Sequence, residues 1–389
     1  MHLLSTKKIK FLILCFLALF LFPACSEKTE TTEEIAMLNF EYGLMDVEPL
    51  GNSNGQSPSL AYNFVPNLSQ TNILDIFKDK KELVVRLKND KNPSSLDDVF
   101  LLKLRTNTDL KEIAEKYKSI DIVSYAEPNF TIELSDYDEI KVADTSEEDE
   151  PVPNSNIVVA VIDSGVDINH KDLKDRIVTG YNFVDSNEDI SDDYGHGTHV
   201  AGIVASNSSA KIMPIKFTDG KIGKMSDLAK AIKFAVNNNA DIINLSLGLK
   251  EKSSLLSESI DYAFKNDIPV VAAAGNYNSS KKYYPAAYGK VIAVTGLKND
   301  GTKLPQSNYG TWVDYSVKAQ DILSTTPGDN YGYATGTSQA APFITAKIAW
   351  ILENKKDSNI RFILSELDKI STSLNTGKFA LLLGKFLAE

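Results

Sequence analysis

The chain has 389 residues, 43% of them hydrophobic and 9% aromatic, enough for a sizeable core and too many for global disorder. Such a length admits two domains, or one large domain with a leader. The formal charge of −11 argues against nucleic acid or an anionic membrane surface as a partner.

Residues 1–24 stand apart. Lys7, Lys8 and Lys10 precede the apolar run FLILCFLALFLF, which has the length of a signal-peptide core and falls short of the roughly 20 residues of a membrane span. The border reads FPACS, which resembles a bacterial lipoprotein signal with Cys25 as the lipidated first residue. The alternative is a plain secretory signal cut near Ala24. The expectation is export, as a cell-envelope lipoprotein anchored through Cys25, otherwise as a periplasmic or secreted protein. Contact with the membrane is expected only through that lipid. Cys15 is lost with the leader, so the exported chain has no cysteine pair and no disulfide.

Residues 25–80 are polar and turn-rich, with EPLGNSNGQSPS as the clearest linker, and their role is unknown. Order is predicted over 81–135. ELVVRL and VFLLKL read as strands, DLKEIAEKY as a short amphipathic helix, and DIVSYAEPNFTI as a further strand. Together they make a small α+β unit. Residues 136–155 carry eight acids against one lysine, with two prolines near the end, and read as an exposed, protease-accessible linker.

From residue 156 to 389 the texture changes. IVVAVID, KIMPIKF, DIINLSL, IPVVAAAGN and VIAVTGL are apolar runs of strand length, separated by helical stretches such as MSDLAKAIKFAVNNN and residues 255–266. Strands apolar throughout, alternating with helices, predict an α/β domain whose mostly parallel sheet is covered on both faces. Chemistry in such sheets gathers beyond the carboxyl ends of the strands.

Those ends carry polar residues. Asp163 closes VIDSGVD, where it can cap the Ser164–Gly165 turn or hold a histidine. His196 lies between Gly195 and Gly197 in DDYGHGTHVAGIVA. His199 follows one turn later and reads as a buried structural residue. HGTH lacks the H-E-x-x-H pattern, so zinc is disfavoured, and His170 reads as surface loop. Asn276 ends the run IPVVAAAGN, where a side-chain amide can satisfy a loop or donate to an oxyanion. In YATGTSQAAPF, Ser338 stands at the mouth of a helix predicted over 338–353, with Pro342 tolerated in its first turn. Taken alone, Ser338 is an N-cap or a nucleophile.

VIDSGVD, GHGTHVAG, AAAGN and GTSQAAP, in this order, closely resemble the signature blocks of the subtilisin-like serine proteases, the subtilases. The likeness extends through SDLAKAIKFAVNNNADIINLSLG and SNYG, over nearly all of residues 156–350. The order Asp, His, Ser is the one found in subtilisin. The resemblance implies a serine endopeptidase in which Ser338 attacks the scissile carbonyl, His196 shuttles the proton and Asp163 fixes the imidazole tautomer. It implies that Asn276 and the Ser338 N–H stabilise the oxyanion. It also implies that Ser246, Leu247 and Gly248 pair with the substrate backbone, and that the AAAG stretch with Ala274 and Gly275 lines a roomy, apolar pocket for the side chain preceding the cleaved bond. The unit ending YAEPNF resembles the end of a subtilase propeptide, which implies a zymogen whose own propeptide is folding assistant and inhibitor. Protein or peptide substrates and a monomer are expected.

Two stretches depart from the family. After HVAGIVAS the segment NSSAKIMPIK reaches the next strand almost at once, so the usual calcium loop is deleted and no cofactor is expected, although calcium stays open through Asp172. VDYSVKAQDILS lacks the usual APG, with Lys318 and Gln320 in that region. The competing reading is a non-catalytic or latent surface lipoprotein that retains its prodomain. An esterase is disfavoured because no GxSxG elbow surrounds Ser338.

Overall fold

The computed structural model describes residues 38, 42, 44–51, 80–88, 96, 98–106, 108–134, 141–143, 155–354, 359–373 and 380–382. The leader, Cys25 and most of the acidic linker lie outside them. Two compact units are present, Met1–Asn129 and Phe130–Glu389.

In the first unit, β1 (Leu44–Pro49), β2 (Lys80–Leu87), β3 (Val99–Arg105) and β4 (Val123–Pro128) form an antiparallel sheet in the order β1-β3-β2-β4. Helix α1 (Leu110–Lys118) joins β3 to β4. Asp109 caps it by accepting from Lys111 N at 2.8 Å. The apolar stripe of α1, Ile113, Ala114 and Tyr117, packs with Leu83, Val85, Phe100 and Leu102. Strand β1 falls within the stretch read as linker, where it adds an edge to β3.

The second unit begins with β5 (Thr131–Leu134), β6 (Lys141–Ala143), β7 (Val158–Asp163) and β8 (Tyr181–Asn182). Helix α2 (His196–Asn207), β9 (Lys211–Lys216), β10 (Ile222–Lys224), α3 (Met225–Asn237), β11 (Ile242–Leu245) and β12 (Leu247–Gly248) follow. Then come α4 (Ser254–Lys265), β13 (Val270–Ala273), β14 (Val291–Leu297), β15 (Tyr315–Lys318), β16 (Ile322–Thr326) and β17 (Asn330–Ala334). Helices α5 (Thr337–Asn354) and α6 (Ile360–Ile370) and strands β18 (Thr372–Ser373) and β19 (Ala380–Leu382) complete it.

The main sheet runs β18-β19-β15-β14-β13-β11-β7-β9-β8, parallel except at β18. Its central strands β7, β11, β13 and β14 are buried on both faces, apart from the first residue of β7. Val159 and Val161 join the cluster formed with Val200 and Val204 of α2 and Ile344 and Ile348 of α5, while Ala160 and Ile162, of opposite parity, are equally buried. This is the two-sided α/β sheet that the apolar runs predict. From β7 the chain passes to β9 on one side and returns to β11 on the other. The order therefore reverses at β7, the place where such sheets open a crevice, and Asp163 is its last residue.

A small sheet lies apart, with β5 as the central strand between β10 and β12, antiparallel to both. Sequence periodicity reads 121–132 as a single strand, but the chain breaks it after Pro128, and Thr131–Leu134 pairs within the second unit. Within the stretch read as an exposed linker, β6 pairs with β17. Among the described residues no helix is long and apolar enough to cross a membrane.

Candidate active site

Helix α2 starts at a glycine that cannot cap it. Gly195 precedes it at φ +88°, with no side chain to satisfy the first N–H groups. Two neighbours take that role. Asp192 accepts from Gly195 N and Thr198 N at 2.8 Å each and from Thr198 Oγ1 at 2.6 Å. Ser164 Oγ accepts from Gly197 N at 3.0 Å and donates to Asp192 Oδ1 at 2.8 Å. Burial pushes the Asp192 carboxyl up, against the downward pull of the bonds from Thr198, Gly195 and Ser164. The strand end at Asp163–Ser164 and the start of α2 are thus tied through one carboxylate.

That tie brings two predicted residues together. His196 Nδ1 lies 2.7 Å from Asp163 Oδ1, and both side chains are fully buried. The approach needs Gly197, where a Cβ would meet Gly165 O at 2.1 Å and Asp163 Cβ at 3.0 Å. With Nδ1 against a carboxylate, Nδ1 carries the proton and Nε2 is left as the basic nitrogen.

Ser338 is built in the same way. It is the second residue of α5, and the helix bond to its carbonyl would come from residue 342, which is a proline with no N–H. Ser246 Oγ donates to that carbonyl instead, at 2.9 Å, while Ser338 Oγ donates to Ser246 O at 3.1 Å. Asn244 Nδ2 donates to Ser246 Oγ at 3.1 Å, and Asn244 Oδ1 accepts from Thr345 of α5 at 2.8 Å. Asn276 Oδ1 accepts from Thr337 N and Thr337 Oγ1, both at 3.0 Å, which commits its Nδ2 donor to the opposite side of the amide. Gly275 N donates to Thr337 Oγ1 at 3.0 Å.

Of the residues expected to bind substrate, Leu247 and Gly248 lie on one edge, β12. Leu247 and Gly248 pair with Leu134 and Glu133 of β5, and Leu134 N donates to Lys221 O at 2.8 Å on the other side. An extended peptide therefore already lies on this edge. Ile132 and Leu134 are buried, whereas the Glu133 carboxylate accepts from Tyr277 Oη at 2.7 Å. Ala274 is fully buried, with its carbonyl accepting from Asn308 Nδ2 at 2.8 Å.

His199 is buried, and its Nε2 donates to Gly332 O at 3.1 Å. Burial lowers its pKa to about 4. His170, read as surface loop, is fully buried instead, with Nε2 donating to Asn330 O at 3.0 Å and the ring edge-on to Tyr331. Asp172 accepts from the Tyr331 hydroxyl. Only Ser208–Ala210 separates α2 from β9. Among the described residues no cluster of three or more His, Cys, Asp or Glu side chains is placed to hold a metal.

Asp192, Thr337, Tyr277 and Tyr283 escape a reading of strand ends. Asp192 left a faint signal, an acid shortly before a helix start that has no capping side chain of its own. The tyrosines left none, because only their packing gives them a place.

A subtilase family model matches residues 154–369. A thermophilic serine proteinase of Bacillus sp. (strain AK1) is 40% identical over 228 residues, 55% of this chain and 57% of that protein. This chain thus spans little more than half the length of that relative. Thermitase of Thermoactinomyces vulgaris is 36% identical over 232 residues, 56% of this chain and 83% of that protein. Fervidolysin from Fervidobacterium pennivorans, described as a keratinolytic enzyme related to subtilisin, shares the fold with a TM-score of 0.65 at 24% identity, covering 79% of this chain and 61% of its own. By these matches the chain belongs to the subtilase family, whose members are serine endopeptidases.

Proposed function

We propose that the protein is an exported serine endopeptidase working through Asp163, His196 and Ser338, made as a zymogen. The observation that carries this is the buried 2.7 Å contact between Asp163 and His196, at the sheet's switch point. Ser338 Oγ attacks the scissile carbonyl and gives its proton to His196 Nε2. Asp163 keeps Nδ1 protonated and stabilises the imidazolium. The oxyanion takes hydrogen bonds from Asn276 Nδ2 and the Ser338 N–H, each such donor contributing about 10²–10³ in rate. Collapse expels the amine with the proton from His196. A water, deprotonated by His196, then hydrolyses the acyl-enzyme and restores Ser338.

The pairing of β5 with β10 and β12 supports self-inhibition, since a strand of this chain occupies the edge a substrate would use. The same pairing favours the second reading, a latent surface lipoprotein in which the segment never leaves. Lipidation at Cys25 and export rest on the leader sequence. Expression of residues 26–389 beside Ser338→Ala separates the two. The protease shortens by about the mass of the N-terminal unit and labels with a serine-directed probe, and the variant does neither. A wild-type chain that stays full length and unlabelled, even after trypsin has nicked the acidic linker, is the latent protein.

A further inference from the structure

The groove beside Ser338 carries a residue that neither the family blocks nor the strand ends bring to attention. Tyr283 is only 4% exposed, and one edge of its ring lies against two glycines. A Cβ on Gly248 would meet Tyr283 Cε1 at 2.3 Å, and one on Gly275 would meet Tyr283 Cδ1 at 2.8 Å. Gly248 belongs to the edge strand β12. Gly275, at φ +96°, is bonded through its N–H to Thr337, the neighbour of Ser338. The ring is held from behind, because Tyr284 N and O pair with Leu249 O and N at 2.8 Å each. Its hydroxyl reaches toward Tyr277 Oη at 3.5 Å.

Strand β5 shows which part of a peptide this ring meets. Leu134 stands opposite Leu247 and Glu133 opposite Gly248. A peptide bound in this register puts its next residue opposite Ser246, whose carbonyl receives the Ser338 hydroxyl. On the endopeptidase reading, that residue is the one whose carbonyl Ser338 attacks. Side chains in a strand alternate, so its side chain leaves on the same face as Glu133, which meets Tyr277, the residue the Tyr283 ring packs against. The space available to it lies between the Ser246–Gly248 edge and the Ala274–Gly275 turn, and the Tyr283 ring is already there.

We propose that Tyr283 fills the pocket for the side chain preceding the cleaved bond, so that the enzyme takes glycine, alanine or serine there and rejects phenylalanine and leucine. This rests on the endopeptidase reading. It differs from the roomy pocket implied by the AAAG stretch, because the volume left open by small wall residues is taken by a side chain that arrives from elsewhere in the sequence. In this chain the residue after Leu134 is Ser135, itself small.

The test compares two fluorogenic tetrapeptide amides, Ile-Glu-Leu-Ala and Ile-Glu-Leu-Phe, with the processed full chain. Wild type is expected to favour the alanine peptide by at least about tenfold in kcat/KM, the scale on which a pocket rejects excess volume. Tyr283→Ala is expected to raise cleavage of the phenylalanine peptide by at least about tenfold, and Tyr283→Leu to give an intermediate ratio. The wild-type ratio decides the matter even if a variant fails to fold. Equal cleavage of both peptides by wild type overturns the pocket proposal and leaves the endopeptidase reading standing. No turnover of either, with no labelling by a serine probe, overturns the endopeptidase reading and the pocket with it.

Discussion

Ser246 donates its hydroxyl to the carbonyl of Ser338 at 2.9 Å, in the place of the helix bond that Pro342 cannot make. The proline thus creates a vacancy in the first turns of α5, and Ser246, on the edge proposed to bind substrate, fills it. Ser338 and the Ser246–Gly248 edge are positioned by one another. Ser246→Ala leaves a buried carbonyl without a donor, a loss of about 1–3 kcal/mol. Thermal unfolding in a Ser338→Ala background, free of self-digestion, is expected to show the lowered midpoint. In the active chain kcat/KM is expected to fall about tenfold, on the scale of a slightly misplaced nucleophile.

Asp192 holds His196 without touching it. Its four bonds join Ser164, Gly195 and Thr198, fixing the turn that carries Asp163 to the helix that carries His196. Asp192→Ala is expected to lower kcat about 10²-fold with KM changed only severalfold, since displacement by about 1 Å near the reacting atoms has this effect. Asp192→Asn, which keeps one acceptor oxygen, should fall between. A residue that only stabilised the fold would shift the melting temperature and leave kcat unchanged well below it, so measuring both separates the roles.

The buried His199 gives the stability a definite pH dependence. Burial lowers its folded pKa to about 4, against about 6.5 in the unfolded chain. The unfolded state therefore takes up the proton first. Stability from this group is fully present above about pH 6.5 and is lost as pH falls toward 4, by up to about 3 kcal/mol. Denaturant unfolding of Ser338→Ala protein at pH 7.5 and pH 4.5 should show the decline, and His199→Gln, which can still donate to Gly332 O, should make it shallower. An identical decline in the two proteins would assign the effect to other groups.

Tyr277 offers its hydroxyl to the acid of the strand already on the groove, at 2.7 Å from Glu133 Oε2. The contact is exposed, which limits its strength. A peptide reading Ile-Glu-Leu-Ala is expected to be cleaved about fivefold better than Ile-Gln-Leu-Ala, and Tyr277→Phe to remove most of the difference without affecting the glutamine peptide. A preference that survives the variant would mean that the acid is read elsewhere.

Much of the architecture is legible in the sequence because local patterns encode it. The apolar runs became β7, β9, β11, β13 and β14, and the helix predicted over 338–353 spans Thr337–Asn354. Asp163, Asn276 and Ser338 stand out because each ends a run or opens a helix. What escaped depends on pairing over long separations. Strand β5 is four residues long, and its partners Ile222–Lys224 and Leu247–Gly248 lie about a hundred positions away. Nothing in TIEL announces which edge it will join. Asp192 is one of two adjacent aspartates in SDDYG, and only the missing cap of α2 distinguishes it from Asp193. Tyr283 is one of two tyrosines in KKYYP, and its place follows from two glycines that each look like ordinary turn residues.

The central claim is that Ser338 is the nucleophile, and the site of covalent labelling tests it most directly. Processed protein is treated with a serine-directed sulfonyl fluoride, digested, and mapped by mass spectrometry. The triad account predicts one adduct per chain, on Ser338 Oγ, abolished by His196→Ala. An adduct on another residue, or no adduct on a chain that still cleaves peptides, would contradict it.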